Sequence, residues 1–169
     1  MPLDPVPFLL SFLIFSLVLK VVYPLCSFLH EAGHAIPALL FIKGDTRIEM
    51  TQGGGKEFRL GKLVLVWGLQ GIHHGSCEFP VEGVPQYKIA MVVIGGPIVS
   101  GLLAVFSLWG LLYPAWPPLP RLALAVLFYA NLRIFLTSII PTVHKFPGME
   151  EGIPSDGKRF LENLIEKGK

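Results

Sequence analysis

Residues 28–37 read FLHEAGHAIP and place two histidines and a glutamate inside an otherwise apolar run. Polar groups that leave water cost free energy unless they are paired or used. On a helix, residues four apart share a face, so His30 and His34 would project side by side. Both can then bind a single zinc ion, one per chain, with Glu31 beside them near the bound water. A catalytic zinc takes three protein ligands and keeps one position for water, whose pKa falls to ~7. The Glu31 carboxylate is suited to take a proton from that water and pass it to a leaving amine. That chemistry is hydrolysis of a peptide bond. A chance HExxH in a chain this long arises roughly once in a few hundred sequences. The bland alternative is two core histidines satisfied by backbone carbonyls, with Glu31 as their partner.

The elements that carry these residues are greasy. Of the 169 residues 52% are hydrophobic and only 15% charged, and the mean hydropathy is +0.60. A soluble domain carries roughly a quarter charged residues, so the composition predicts an integral membrane protein in one domain. Its net charge of +2 gives no basic stripe for nucleic acid. Cys26 and Cys77 have no CxxC spacing and read as free thiols. No Lys or Arg precedes the first apolar stretch, so a signal peptide's basic leader is missing and the segment is expected to stay as an anchor.

Three apolar stretches stand out, at 7–42, 87–113 and 119–143. A bilayer core takes ~20 helical residues, so the second and third are one span each. The first is long for one span, but "KVVYPLCSF" offers no polar turn, and a single helix kinked near Pro24 is favoured. A four-span arrangement is the alternative. Lys and Arg concentrate between the first two spans (Lys43, Arg47, Lys56, Arg59, Lys62, Lys88) and in the tail (Lys145, Lys158, Arg159, Lys167, Lys169). By the positive-inside rule the N-terminus lies outside, and both basic segments face the cytoplasm, most simply at a cell membrane. Counting back from Lys43 at ~1.5 Å per residue, His34 and His30 lie roughly 13 to 20 Å below that surface. Ionisable residues at such depth are functional candidates by default.

Between the first two spans, 45–83 has β character: "TRIEMT" alternates, "QGGGKE" supplies turn chemistry, and "FRLGKLVLVWGL" resumes a β-like run. A hairpin or small sheet is expected, whose edge either pairs with an extended peptide or merely covers the helices. In the tail, 144–169, Phe160, Leu161, Leu164 and Ile165 share a helical face and predict a short amphipathic helix. The fold class is therefore an all-α membrane protein with a small β insertion after the first helix.

Taken in chain order, "HEAGH" at His30–His34, "GGPIVSG" at Gly95–Gly101 and "PSDG" ending at Gly157 resemble the site-2 proteases. These are intramembrane zinc metalloproteases that cut membrane-embedded or membrane-proximal segments of other proteins. The likeness runs from about Phe8 to the tail helix, and only its HExxH is specific by itself. It implies that Asp156 is the third zinc ligand and that the substrate is a membrane protein or membrane-bound peptide. A regulatory membrane partner or a second copy of the chain is a further partner that such a protease can have. Read from the residues alone, "PSDG" before an amphipathic helix is also a helix N-cap, and His144, Glu150 and Glu151 are rival ligands. Family members commonly carry an asparagine shortly before the proline that leads to Asp-Gly. Here Ser138 precedes Pro141, and Asn131 is the nearest asparagine.

Other polar residues have structural readings beside functional ones. Gly96 and Ser100 form a small-xxx-small pair suited to helix packing, with substrate access the alternative. Pro37 removes the hydrogen bond to the Gly33 carbonyl and is expected to bend the helix beyond the site. His73 and His74 read as a solvated pair, Arg133 needs a partner within its span, and Lys20 is placed to snorkel. Two non-hydrolytic functions compete. A scaffold that only holds zinc has no use for Glu31, and metal transport would put polar residues recurrently across several spans, whereas beyond the motif Asn131 and Arg133 are the ones that stand out.

Overall fold

The computed structural model of the chain describes residues 5–51, 54–68, 75–113, 115–144 and 152–165. Helix α1 spans Pro5–Phe41 without a break, through both Pro24 and Pro37. Helices α2 (Gln86–Leu112) and α3 (Pro118–Ile139) follow the sheet region, and a short α4 covers Asp156–Ile165. Within α1 the stretch Phe12–Phe41, together with α2 and α3, gives three helices long and apolar enough to cross a membrane. Leu17, Val21, Leu40, Val105, Trp109 and Leu112 are each more than three-fifths exposed. Apolar surface on that scale needs cover other than water.

Helix α2 is the centre of the molecule and packs against α1, α3 and α4. It can do so because it presents small residues: Ala90, Gly96, Ser100, Ala104 and Ser107 are all buried. Its closest approach to α1 pairs Gly33 with Gly95. A Cβ on Gly33 would sit 2.7 Å from the Gly95 carbonyl oxygen, and one on Gly95 would collide with the Gly33 carbonyl. That Gly33 carbonyl is the one Pro37 deprives of its helical N–H partner. Pro37 thus leaves an acceptor facing the point where the two backbones nearly touch.

Four strands form one sheet: β1 (Thr46–Met50), β2 (Lys56–Leu60), β3 (Leu63–Trp67) and β4 (Ser76–Glu78), in spatial order β2-β3-β1-β4. The expected hairpin exists, but as β2–β3 turning at Gly61, whose φ is +61°. The glycine-rich 52–55 instead leads from β1 to a strand that is not its neighbour, since β1 pairs with β3 in parallel. Ile48 and Met50 pack on Ala35 of α1, with Phe28, Ala32, Leu65 and Trp67 around them. The opposite face carries the ion pairs of Arg47 with Glu49 and Glu57. The sheet is therefore apolar toward α1, while its other face mixes these ion pairs with the buried Val64 and Val66.

The third apolar stretch is shorter as a helix than 119–143. Helix α3 ends at Ile139, because Pro141 cannot continue a helix and forces the residue before it into an extended conformation; Ile140 has φ −70° and ψ 123°. Val143–His144 (β5) then pairs with Ile153–Pro154 (β6). This small ribbon, absent from the sequence reading, returns the chain to the helices and delivers α4. Gly157, buried, lies so close to the Ile139 carbonyl that a Cβ there would clash. Leu161, Leu164 and Ile165 form the exposed apolar side of α4, as its amphipathic pattern predicts.

Candidate metal and catalytic site

His30, Glu31 and His34 lie on buried turns of α1, with His30 and His34 6% exposed and Glu31 8%. They line a cavity of about 460 Å³ whose wall also includes Tyr23 and Ser27 of α1, Gly75–Phe79, Ile134, Thr137 and Ser138 of α3, and Ile153–Asp156 with Arg159. Asp156 enters from the far end of the chain. Its Oδ2 lies 3.2 Å from His30 Nε2 and 3.4 Å from His34 Nε2. The two Nε2 atoms are 3.3 Å apart.

These three separations decide what the cluster can hold. Around a tetrahedral ion with ligand bonds of ~2.0 to 2.1 Å, adjacent ligand atoms stand ~3.3 Å apart. The three atoms thus form one nearly equilateral face of such a tetrahedron. His30, His34 and Asp156 are also the group among the described residues whose side chains could hold a metal ion. Neither histidine is satisfied by backbone alone, as the structural alternative required, because both Nε2 atoms turn toward Asp156.

The other ring nitrogens are held from α2. His34 Nδ1 lies 2.8 Å from the Val92 carbonyl oxygen. A carbonyl can only accept, so Nδ1 carries the proton and Nε2 presents its lone pair to the cluster. His30 Nδ1 lies 2.9 Å from Ser100 Oγ, a hydroxyl that can accept the same N–H. Such outer partners fix the tautomer and ring orientation of a metal-binding histidine. Ser100 and Gly96 therefore do more than pack. Gly96 backs onto the imidazoles so closely that a Cβ there would collide with His34 Nε2 and sit 2.8 Å from His30 Nε2. The sequence offered one signal for this: both lie on the helix face that also meets α1.

Ser100→Ala is expected to lower metal affinity by about 10- to 100-fold without dismantling the helices. Titrating apo protein with zinc against a competing chelator checks it; an unchanged affinity would show that Ser100 only fills space.

The cap and the candidate ligand are two different residues. Ser155 Oγ accepts from the Lys158 N–H at 3.3 Å, capping α4. The same oxygen donates to the Ile140 carbonyl at 2.7 Å and accepts from the Thr142 N–H at 3.0 Å. Ser155 thereby ties the start of α4 to the end of α3, and Asp156, one residue on, is free to face the histidines. Burial would raise the Asp156 carboxyl, yet the contacts to His30 and His34 outweigh it and hold it well below the usual carboxylate range.

The remaining candidates fall elsewhere. His144 lines the cavity, but its Nε2 is turned to the Thr137 carbonyl oxygen at 3.2 Å. Glu150, Glu151, His73 and His74 lie outside the described residues. Ser138 lines the cavity and spends its hydroxyl on the Phe135 carbonyl. Asn131 does not stand in for the family asparagine: buried between helices, it donates to Cys26 Sγ and the Leu127 carbonyl. Arg133 makes no ion pair with a described carboxylate; its guanidinium lies 5.5 Å from the centre of the Tyr23 ring. Both cysteines are free thiols. Burial first, then the carboxylates of Glu31, Glu78 and Asp156, push Cys77 up to about 12. A thiol that stays protonated is no nucleophile, so cysteine catalysis is not what this cavity is built for.

Comparison with protein-family models, curated proteins and solved structures finds no match to this chain.

Proposed function

We propose that the chain is an intramembrane zinc metalloendopeptidase of the site-2 protease type, cutting peptide bonds in or next to membrane-spanning segments. The observation that carries it is the convergence of His30, His34 and Asp156 onto one tetrahedral face, with Glu31 in the same cavity. The order of the three motifs supports the family likeness, and the apolar length of α1, α2 and α3 supports a three-span protein. The basic residues then put the N-terminus outside and the sheet and tail in the cytoplasm.

His30, His34 and Asp156 would hold the metal. Zinc there would act as a Lewis acid and lower the pKa of a coordinated water to ~7. Glu31, which belongs to none of the three ligand positions, moves the proton: it accepts one from water and returns it to the departing amine. Strand β4 supplies a place for the substrate. Among the described residues it pairs with β1 on one side only, and just before it a Cβ on Gly75 would lie 2.6 Å from Glu31 Cγ. An extended peptide added along β4 is thereby led past the proton carrier.

The test uses purified full-length protein in detergent and a model transmembrane peptide. One zinc per chain and cleavage that stops on chelation and returns with zinc are expected. Peptides N-methylated at alternate positions should lose about tenfold in affinity, because each blocked N–H removes a strand-pairing hydrogen bond. Zinc binding without any cleavage would favour a non-catalytic zinc-binding scaffold.

A further inference from the structure

We propose that Arg159 is a catalytic residue, binding the carbonyl oxygen of the scissile peptide bond as negative charge develops on it. The inference rests on the peptidase reading and adds the group that reading leaves unassigned. When the water oxygen bonds to the carbonyl carbon, its proton goes to Glu31 and the C=O electron pair moves to the carbonyl oxygen. When that pair returns, the C–N bond breaks and the proton passes from Glu31 to the amine nitrogen. The oxygen that carries charge between these events needs a donor aimed at it.

Apart from the neutral hydroxyls of Tyr23, Ser27 and Ser76, the cavity's other polar side chains are already used or have the wrong sign. Glu31, Asp156 and Glu78 are carboxylates. His30 and His34 hold α2 through Nδ1 and face Asp156 through Nε2. Thr137, Ser138 and Ser155 donate their hydroxyls to backbone carbonyls. His144 is turned to the Thr137 carbonyl. Ser27 contributes a neutral hydroxyl one turn before His30. Arg159 is the permanently charged cation among the described lining residues. It follows Asp156 by three positions on α4, so both side chains leave the same helix face. Arg159 stands on the exposed side of the cavity wall, and its guanidinium makes no ion pair with a described residue. A planar fork of donors suits an oxygen whose charge grows during reaction.

The test compares wild type, Arg159→Lys and Arg159→Met, each with its zinc stoichiometry. Arg159→Met is expected to lower kcat by about 100- to 1,000-fold, with KM and zinc content unchanged and Arg159→Lys recovering part of the loss. A phosphinic peptide, which mimics the charged tetrahedral state, should bind Arg159→Met more weakly by the same factor as kcat/KM falls. That binding is read by calorimetry, without turnover. A loss confined to KM, lost zinc, or kcat within about threefold of wild type overturns the assignment while the peptidase reading stands. If wild type itself cleaves nothing, both fall together.

Discussion

Glu31→Gln is expected to bind one zinc per chain, as wild type does, and to cleave about 10³- to 10⁴-fold more slowly. The magnitude is the upper range for losing a positioned proton carrier. Zinc retention follows because the proposed ligand atoms are His30 Nε2, His34 Nε2 and Asp156 Oδ2, and the amide is nearly the same size as the carboxyl. Size matters here, since Glu31 is 8% exposed and Gly75 leaves no room for a bulkier side chain. The amide still fills its slot but cannot accept the proton of the attacking water. His34→Ala makes the contrast: it removes one corner of the ligand face and should cost both zinc and cleavage. Zinc analysis beside a peptide-cleavage assay checks the pair. Native-rate cleavage by Glu31→Gln would remove Glu31 from the mechanism, whatever the metal content.

How much of this site was legible in the sequence depends on how local each contact is. His30 and His34 are one turn apart, so helical periodicity alone puts them on one face. Asp156 stands 126 positions from His30, and nothing local marks it as a ligand. "PSDG" contains two side-chain oxygens suited to a cap, and only the seating of α4 against α3 shows Ser155 taking that task. The likeness to site-2 proteases supplied Asp156 where spacing could not. Ser100 and Gly96 were read as packing residues for a related reason. A small-xxx-small pattern states that something comes close, without naming an imidazole as the thing that does.

The fold divides along the same line. Hydropathy over ~20 residues found all three long helices, because each is a property of one continuous segment. The parallel pairing of β1 with β3 was hidden, since it joins segments whose intervening residues form another strand. The end of α3 at Ile139 was legible in principle: Pro141 carries the signal, but the apolar run continuing to Val143 masked it. Arg159 was counted only as one of the tail's positive charges, although its spacing from Asp156 puts both on one face of α4.

Gly96→Ala is expected to strike the candidate metal site directly, where a single methyl meets both imidazoles. The added methyl collides with His34 Nε2 and comes 2.8 Å from His30 Nε2, so it enters the space that the ligand nitrogens and their ion require. Neither ring can step aside: Val92 holds the far nitrogen of His34, and Ser100 that of His30. Backbone shifts that relieve overpacking cost typically 1–3 kcal/mol, and here they would also break the ligand face, which must keep its distances within ~0.2 Å. Zinc affinity should fall at least about 100-fold, with cleavage lost at ordinary zinc concentrations. Gly101→Ala, five residues along the same helix, is the control. Its methyl meets the edge of the Phe135 ring at 3.2 Å, a contact remote from the ligands, so zinc binding should persist. Helix content by circular dichroism should be the same in both variants. If Gly96→Ala bound zinc as tightly as Gly101→Ala, the ion would have to lie away from the face formed by His30, His34 and Asp156, and the metal centre described above would be misplaced.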